Sequence, residues 1–165
     1  MAYRKKTWTE KLEDRGKLPK VLRFDPKFPC GNALAKMGAR RGDTVVLAPA
    51  TEVDALMRKV PKGRVTTLKE ITMKLAKKHK VGYCCTLVAG IHVMVAANAA
   101  EERVETGRDG KVTTPYWRTL KIDGSLNEKY PGGAPAQKKL LEREGHRVVK
   151  KGSRYFVDGY EGKLA

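Results

Sequence analysis

Pro115-Tyr116-Trp117-Arg118, then Asp123-Gly124-Ser125-Leu126, Tyr130-Pro131-Gly132-Gly133, Gln137-Lys138-Lys139-Leu140-Leu141 and Glu144-Gly145-His146-Arg147 form the stretch on which the reading of this chain turns. Pro135 at a first helical position, apolar Leu140 and Leu141, and Gly145 as a terminator predict a helix from about Pro135 to Glu144. Beyond it, Val148-Val149, a Lys150-Lys151-Gly152-Ser153 turn and Tyr155-Phe156-Val157 predict a terminal hairpin.

Working back from that block, Glu101 to Thr113 is charged, contains Gly107 and Gly110, and reads as an exposed loop or hairpin. Before it, Tyr83 to Glu101 is expected as a helix without a single lysine or arginine from Val81 to Ala100. A short turn at Val81 and Gly82 joins it to another helix, opened by Thr67 with Glu70 completing a capping box. Leu68, Ile71 and Leu75 form the apolar stripe of that helix, and Lys69, Lys74, Lys77 and Lys78 coat the rest. Two helices joined this tightly predict a helix-turn-helix.

Upstream, Thr51 is expected to cap a helix carrying Glu52 and Asp54 in its first turn and Val53, Leu56, Met57 and Val60 on its apolar face, ending at Pro61 and Gly63. Thr44 to Ala48 is a strand candidate. Residues 1–43, charged and broken by Pro19, Pro26, Pro29 and several glycines, read as a basic arm preceding a domain over residues 44–165, with a turn of helix expected around Trp8 to Leu12 and another around Ala33 to Met37.

The order and spacing of the blocks resemble the DNA-binding, catalytic domain of the alkylguanine-DNA alkyltransferases (methylated-DNA protein-cysteine methyltransferases), most closely over residues 60–148. Val60-Pro61-Lys62-Gly63-Arg64-Val65-Thr66-Thr67 looks like that family's entry into its helix-turn-helix. The resemblance implies a mixed α/β, mainly helical fold: a winged-helix-like alkyltransferase DNA-binding domain with a C-terminal hairpin. It places Tyr116, Trp117, Arg118, Tyr130, Gly132, Gly133 and Glu144 around the former active-site pocket. It places Thr67, Leu68, Cys85, Thr86, Ala89, Gly90 and Asn98 toward DNA.

At the positions that carry the family's chemistry the residues differ. Its Pro-Cys-His-Arg is Pro115-Tyr116-Trp117-Arg118 here, its nucleotide-turning tyrosine is Leu68, and its arginine finger aligns with Cys85. Methyl transfer to protein needs a thiolate prepared by a histidine base. A phenol with an ordinary pKa near ~10 and an indole that only donates supply neither. The chain is therefore expected to resemble the nucleophile-less alkyltransferase-like members, which bind alkylated DNA without repairing it.

Charge points the same way. The chain of 165 residues carries 35 lysines and arginines against 18 acidic residues, a net charge of +17, which argues for a polyanionic partner. Double-stranded DNA, no membrane and a monomeric state are expected, with protein partners unassigned. Cys30, Cys84 and Cys85 are too few for a disulfide framework, and neither they nor His79, His92 and His146 show metal-ligand spacing. No cofactor or metal is expected, and a reducing cytoplasm, or a place on the nucleoid, fits. A basic structural or RNA-binding module with its pocket filled is the first alternative. New chemistry at Tyr116 and Glu144 is the second.

Overall fold

In the computed structural model, which describes residues 3–165, six α-helices and three small sheets are present among the described residues. Chain order is α1 (Trp8–Glu13), β1 (Lys20–Arg23), α2 (Gly31–Lys36), β2 (Thr44–Leu47), α3 (Ala50–Arg58), β3 (Thr66–Thr67), α4 (Leu68–Lys78), β4 (Tyr83–Cys84) and α5 (Thr86–Glu105). A 3-10 turn (Tyr116–Arg118), β5 (Thr119–Leu120), α6 (Gly133–Arg143) and the hairpin β6 (Val148–Lys151) and β7 (Arg154–Val157) complete it. The architecture is mixed α/β, and no helix among the described residues is long and apolar enough to cross a membrane.

α5 is the axis. Its alanines Ala96, Ala97, Ala99 and Ala100 are almost wholly buried, and their small side chains let α1 and α3 approach it closely. A helix apolar around most of its circumference must be covered on several sides. Val53 and Met57 from α3, Ile71 and Leu75 from α4, and Leu12 from α1 supply the cover. α1 is held to it by an ion-dipole contact as well: the Glu102 carboxylate accepts from the Trp8 and Thr9 amides, each at 3.0 Å, capping α1 from another helix.

β2 runs antiparallel to β1 and parallel to β4, pairing Val46 with Val21 on one side and with Cys84 on the other. Phe24, Cys30, Leu34, Val45 and Cys85 form a second apolar cluster beside this sheet. The boundary expected at residue 43 therefore runs through a sheet: the segment read as an arm contributes a paired strand, a packed helix and core side chains. Its first two residues, Met1 and Ala2, lie outside the described part. The two short helices fall where they are expected, whereas the strand and the core role do not show in the charged sequence, because Leu12, Phe24 and Leu34 are single apolar positions in or beside elements only four to six residues long.

Three local expectations also change. α3 starts at Ala50, with Pro49 before it, so Thr51 is already inside the helix and its hydroxyl is buried without a partner. Tyr83 and Cys84 are strand, not helix, because the parallel ladder to β2 claims them, and the helix runs on to Glu105. The final helix starts at Gly133, two residues before Pro135. By contrast, Thr67 does cap α4, its Oγ1 accepting from the Glu70 amide at 3.3 Å.

A third cluster, Val65, Leu120, Leu126, Leu141 and Val157, seats the hairpin and α6 against the 120s loop. The hairpin registers Val148 with Val157 and Lys151 with Arg154, turning at Gly152 and Ser153. The parallel pair β3–β5 brings Thr67, the start of α4, beside Leu120, the end of the Tyr116 turn. That pairing assembles the site.

Candidate nucleic-acid interface

Tyr116 is only 2 % exposed. Its hydroxyl donates to Glu101 Oε1 at 2.6 Å, and its ring packs edge-on against Trp117 (centroids 5.4 Å) and Tyr130 (5.3 Å). Tyr130 donates in turn to the Thr119 carbonyl at 3.0 Å. Burial, reinforced by the adjacent Glu101 carboxylate, pushes the Tyr116 phenol well above its ordinary value. The phenol stays protonated at neutral pH and its oxygen is committed to a carboxylate.

Glu144 answers to a different partner. As the last residue of the α6 turn it receives Arg118 in a fork, Nη2 at 2.6 Å and Nε at 3.0 Å, while Arg118 Nη1 donates to the Val60 carbonyl at 2.8 Å. Burial alone would raise the Glu144 carboxyl, but the Arg118 hydrogen bonds outweigh it and hold it below the ordinary range. Arg118 thus ties the Tyr116 turn to the end of α6 and to the residue preceding Pro61. The phenol of Tyr116 and the carboxylate of Glu144, named together in the second alternative, are each hydrogen-bonded to a different partner, Glu101 and Arg118.

Gln137 finishes the frame. Its amide donates to the Trp117 carbonyl at 3.0 Å and accepts from the Asn127 amide at 2.7 Å, fastening the 120s loop to α6. Gly132 and Gly133 both sit at positive φ, +77° and +72°, where side chains with a Cβ are strained. Together they turn the chain from Tyr130 into α6.

On the other side of Tyr130 lies an open groove of about 570 Å³. Its walls are the N-terminal half of α5 (Thr86, Leu87, Gly90, Ile91, Met94), Leu68 at the start of α4, and the loop carrying Ile122 and Asn127. A Cβ at Gly90 would make only ordinary van der Waals contact, 3.7 Å from Leu68 Cδ2. Lys121, Lys129 and Arg154 stand around the opening. Lys121 is paired with Glu128 and Arg154 with Asp123, while Lys129 has no carboxylate within ion-pair distance among the described residues.

The structure divides the residues expected to face DNA. Leu68, Thr86 and Gly90 line the groove, and Thr67 lies buried behind it as the α4 cap. Cys85, the position aligned with the finger, is 5 % exposed and serves as the residue before α5, packed in the cluster with Phe24 and Leu34. It cannot reach outward. Ala89 is buried as well, because it points to the core side of α5. Asn98 lies well inside α5, its amide donating to the Met94 carbonyl at 2.9 Å, and takes no part in the groove.

Four groove residues, Leu87, Ile91, Met94 and Ile122, escaped the sequence reading, as did Glu101, the partner of Tyr116. A signal for two of them was present: Leu87 and Ile91 are four apart and so share a face. It was hidden because the helix is apolar nearly throughout. Cys84 and Cys85 are both buried free thiols, with burial pushing Cys84 up to about 12. Buried in this way, neither is placed to accept an alkyl group.

The class defined by fold and site is a mixed α/β protein with a filled aromatic box beside a basic-rimmed apolar groove. No protein-family model matches the chain, and no curated protein matches it. Among solved structures it resembles alkyltransferase-like protein from S. pombe. One is Atl1 in complex with damaged DNA containing O6-carboxymethylguanine, 18% identical over 70% of this chain and 93% of that one, with a TM-score of 0.48. Another is S. pombe ATL in complex with DNA, 17% identical over the same shares, with a TM-score of 0.45.

Proposed function

We propose that this protein binds duplex DNA without performing chemistry on it, and that it responds to alkylated or distorted base steps. In this reading α4 and α5 act as a helix-turn-helix and the β6–β7 hairpin as a wing. The observation that carries the reading is the groove between α5 and the 120s loop: apolar inside, cationic at its rim, and adjacent to a box whose nucleophile position is filled by Tyr116. A net charge of +17 supplies the non-specific attraction to phosphate.

The filled box equally supports a second reading, a basic module that binds structured RNA or plain nucleic acid through its surface alone. Fluorescence anisotropy with an O6-alkylguanine duplex, the matched plain duplex and a structured RNA, each at two salt concentrations, separates the two. Preference for the lesion duplex at both salts supports the proposal. Equal affinity for all three, falling together with salt, supports the basic module instead.

A further inference from the structure

We propose that Leu87 and Ile91 form an apolar wedge that enters the minor groove of a duplex and parts one base step, with the exposed base face received by the groove behind them. The inference rests on the DNA-binding reading and assigns its working residues. Six large hydrophobic side chains are exposed among the described residues; three of them, Leu87 (47 %), Ile91 (49 %) and Ile122 (42 %), line this one groove. Such convergence marks a contact surface, since scattered apolar residues need no explanation.

Leu87 and Ile91 lie one helical turn apart, so their side chains stand together on the outer face of α5, in its first two turns. No lysine or arginine from Val81 to Ala100 accompanies them, which leaves this part of the helix without donors for bidentate base reading. Proteins that bind the minor groove commonly insert Leu, Ile or Met between base pairs, unstacking a step and bending the duplex. A base face so exposed needs an apolar or aromatic surface, and Leu68, Met94, Ile122 and the buried Tyr130 line the same groove.

Charge selects the occupant. A second copy of the chain would bring +17 against +17, whereas a duplex is attracted to Lys129 at the rim and to exposed Lys69 and Lys74 on α4. Cys85 cannot take the role because it is buried; the wedge begins two residues later, where the helix emerges from the second cluster.

The test pairs two readouts on a duplex carrying 2-aminopurine, whose fluorescence rises when it leaves the stack, at successive positions. Anisotropy reports binding and 2-aminopurine intensity reports unstacking. The wild-type chain is expected to bind and to raise the intensity several-fold at one position. Leu87→Ala with Ile91→Ala is expected to abolish that rise in the saturated complex, and to weaken binding about tenfold without changing its salt slope. Each single substitution gives an intermediate rise, and circular dichroism checks that each variant keeps the wild-type fold. Binding by wild type with no rise at any position, or a full rise with the double variant, overturns the wedge while leaving DNA binding intact. Absence of binding by wild type overturns both.

Discussion

Tyr116 Oη meets Glu101 Oε1 at 2.6 Å, so the turn after Pro115 is locked to the C-terminal part of α5 by a buried phenol-carboxylate bond. Tyr116 thus works as a strut. Tyr116→Phe removes the donor and leaves Glu101 partly buried without it, an expected loss of about 1–2 kcal/mol in urea unfolding.

Tyr116→Cys is expected to remain inert. Trp117 gives the new thiol no base, and the lost ring opens a void costing about 3 kcal/mol. Incubation with an O6-methylguanine duplex followed by intact-mass measurement should show no methylated protein. Stoichiometric methylation would refute the account of the site.

Stability should fall toward acid in two stages. Burial, with Lys163 and Arg118 nearby, depresses the His146 imidazole from 6.5, so the unfolded chain takes up that proton first and stability declines as pH drops below 6.5. The Glu144 carboxyl is also depressed, from 4.5, so its contribution is fully present above 4.5 and is lost as pH falls through the lower folded value. Glu144→Gln should shrink the second stage, to which the depressed Glu52 and Asp123 carboxyls also contribute, and lose about 3 kcal/mol at neutral pH, because Arg118 is left without its charged partner. Unfolding midpoints across the pH range check both.

Glu102→Ala should release α1. Removing a cap costs about 1 kcal/mol, and here the cap also joins two elements. Faster hydrogen exchange at the Trp8 and Thr9 amides, with the rest of the chain unaffected, is the expected signature.

Thiol reactivity should depend wholly on unfolding. Cys30, Cys84 and Cys85 are buried, and burial pushes Cys30 and Cys84 up to about 12. A neutral-pH alkylating reagent should label no cysteine in the native protein and all 3 in denaturant. Rapid native labelling would contradict the packing of the second cluster.

What could be seen in the sequence was mostly local. Thr67, Glu70 and the Leu68-Ile71-Leu75 stripe announce α4 because capping and periodicity act within one helix. The closing hairpin is equally legible, its turn glycine lying between two runs of strand-forming residues. Tyr83 and Cys84 were misassigned because their conformation is imposed by Val45 and Val46, nearly forty residues earlier, and no local preference records that. Thr51 failed for the opposite reason, as Pro49 fixes the helix start before the threonine is reached. At the site, the frame of Arg118, Gly132, Gly133 and Glu144 was implied by the family resemblance. The groove could not, since whether Leu87 and Ile91 are core or surface depends on which side of α5 the other helices take.

The parallel pairing of β2 with β4 also governs the order in which the molecule can be made. During synthesis β1 and β2 emerge early, yet the cluster of Phe24, Leu34 and Val45 gains its last neighbours only when Cys85 and Val88 have left the ribosome. Until then the first half of the chain exposes one side of a two-stranded ribbon that is not stable alone. The start of α5 therefore completes the second cluster and begins the proposed binding face at once. A nascent chain stalled before α5 should depend on chaperones more than one from which the whole of α5 has emerged.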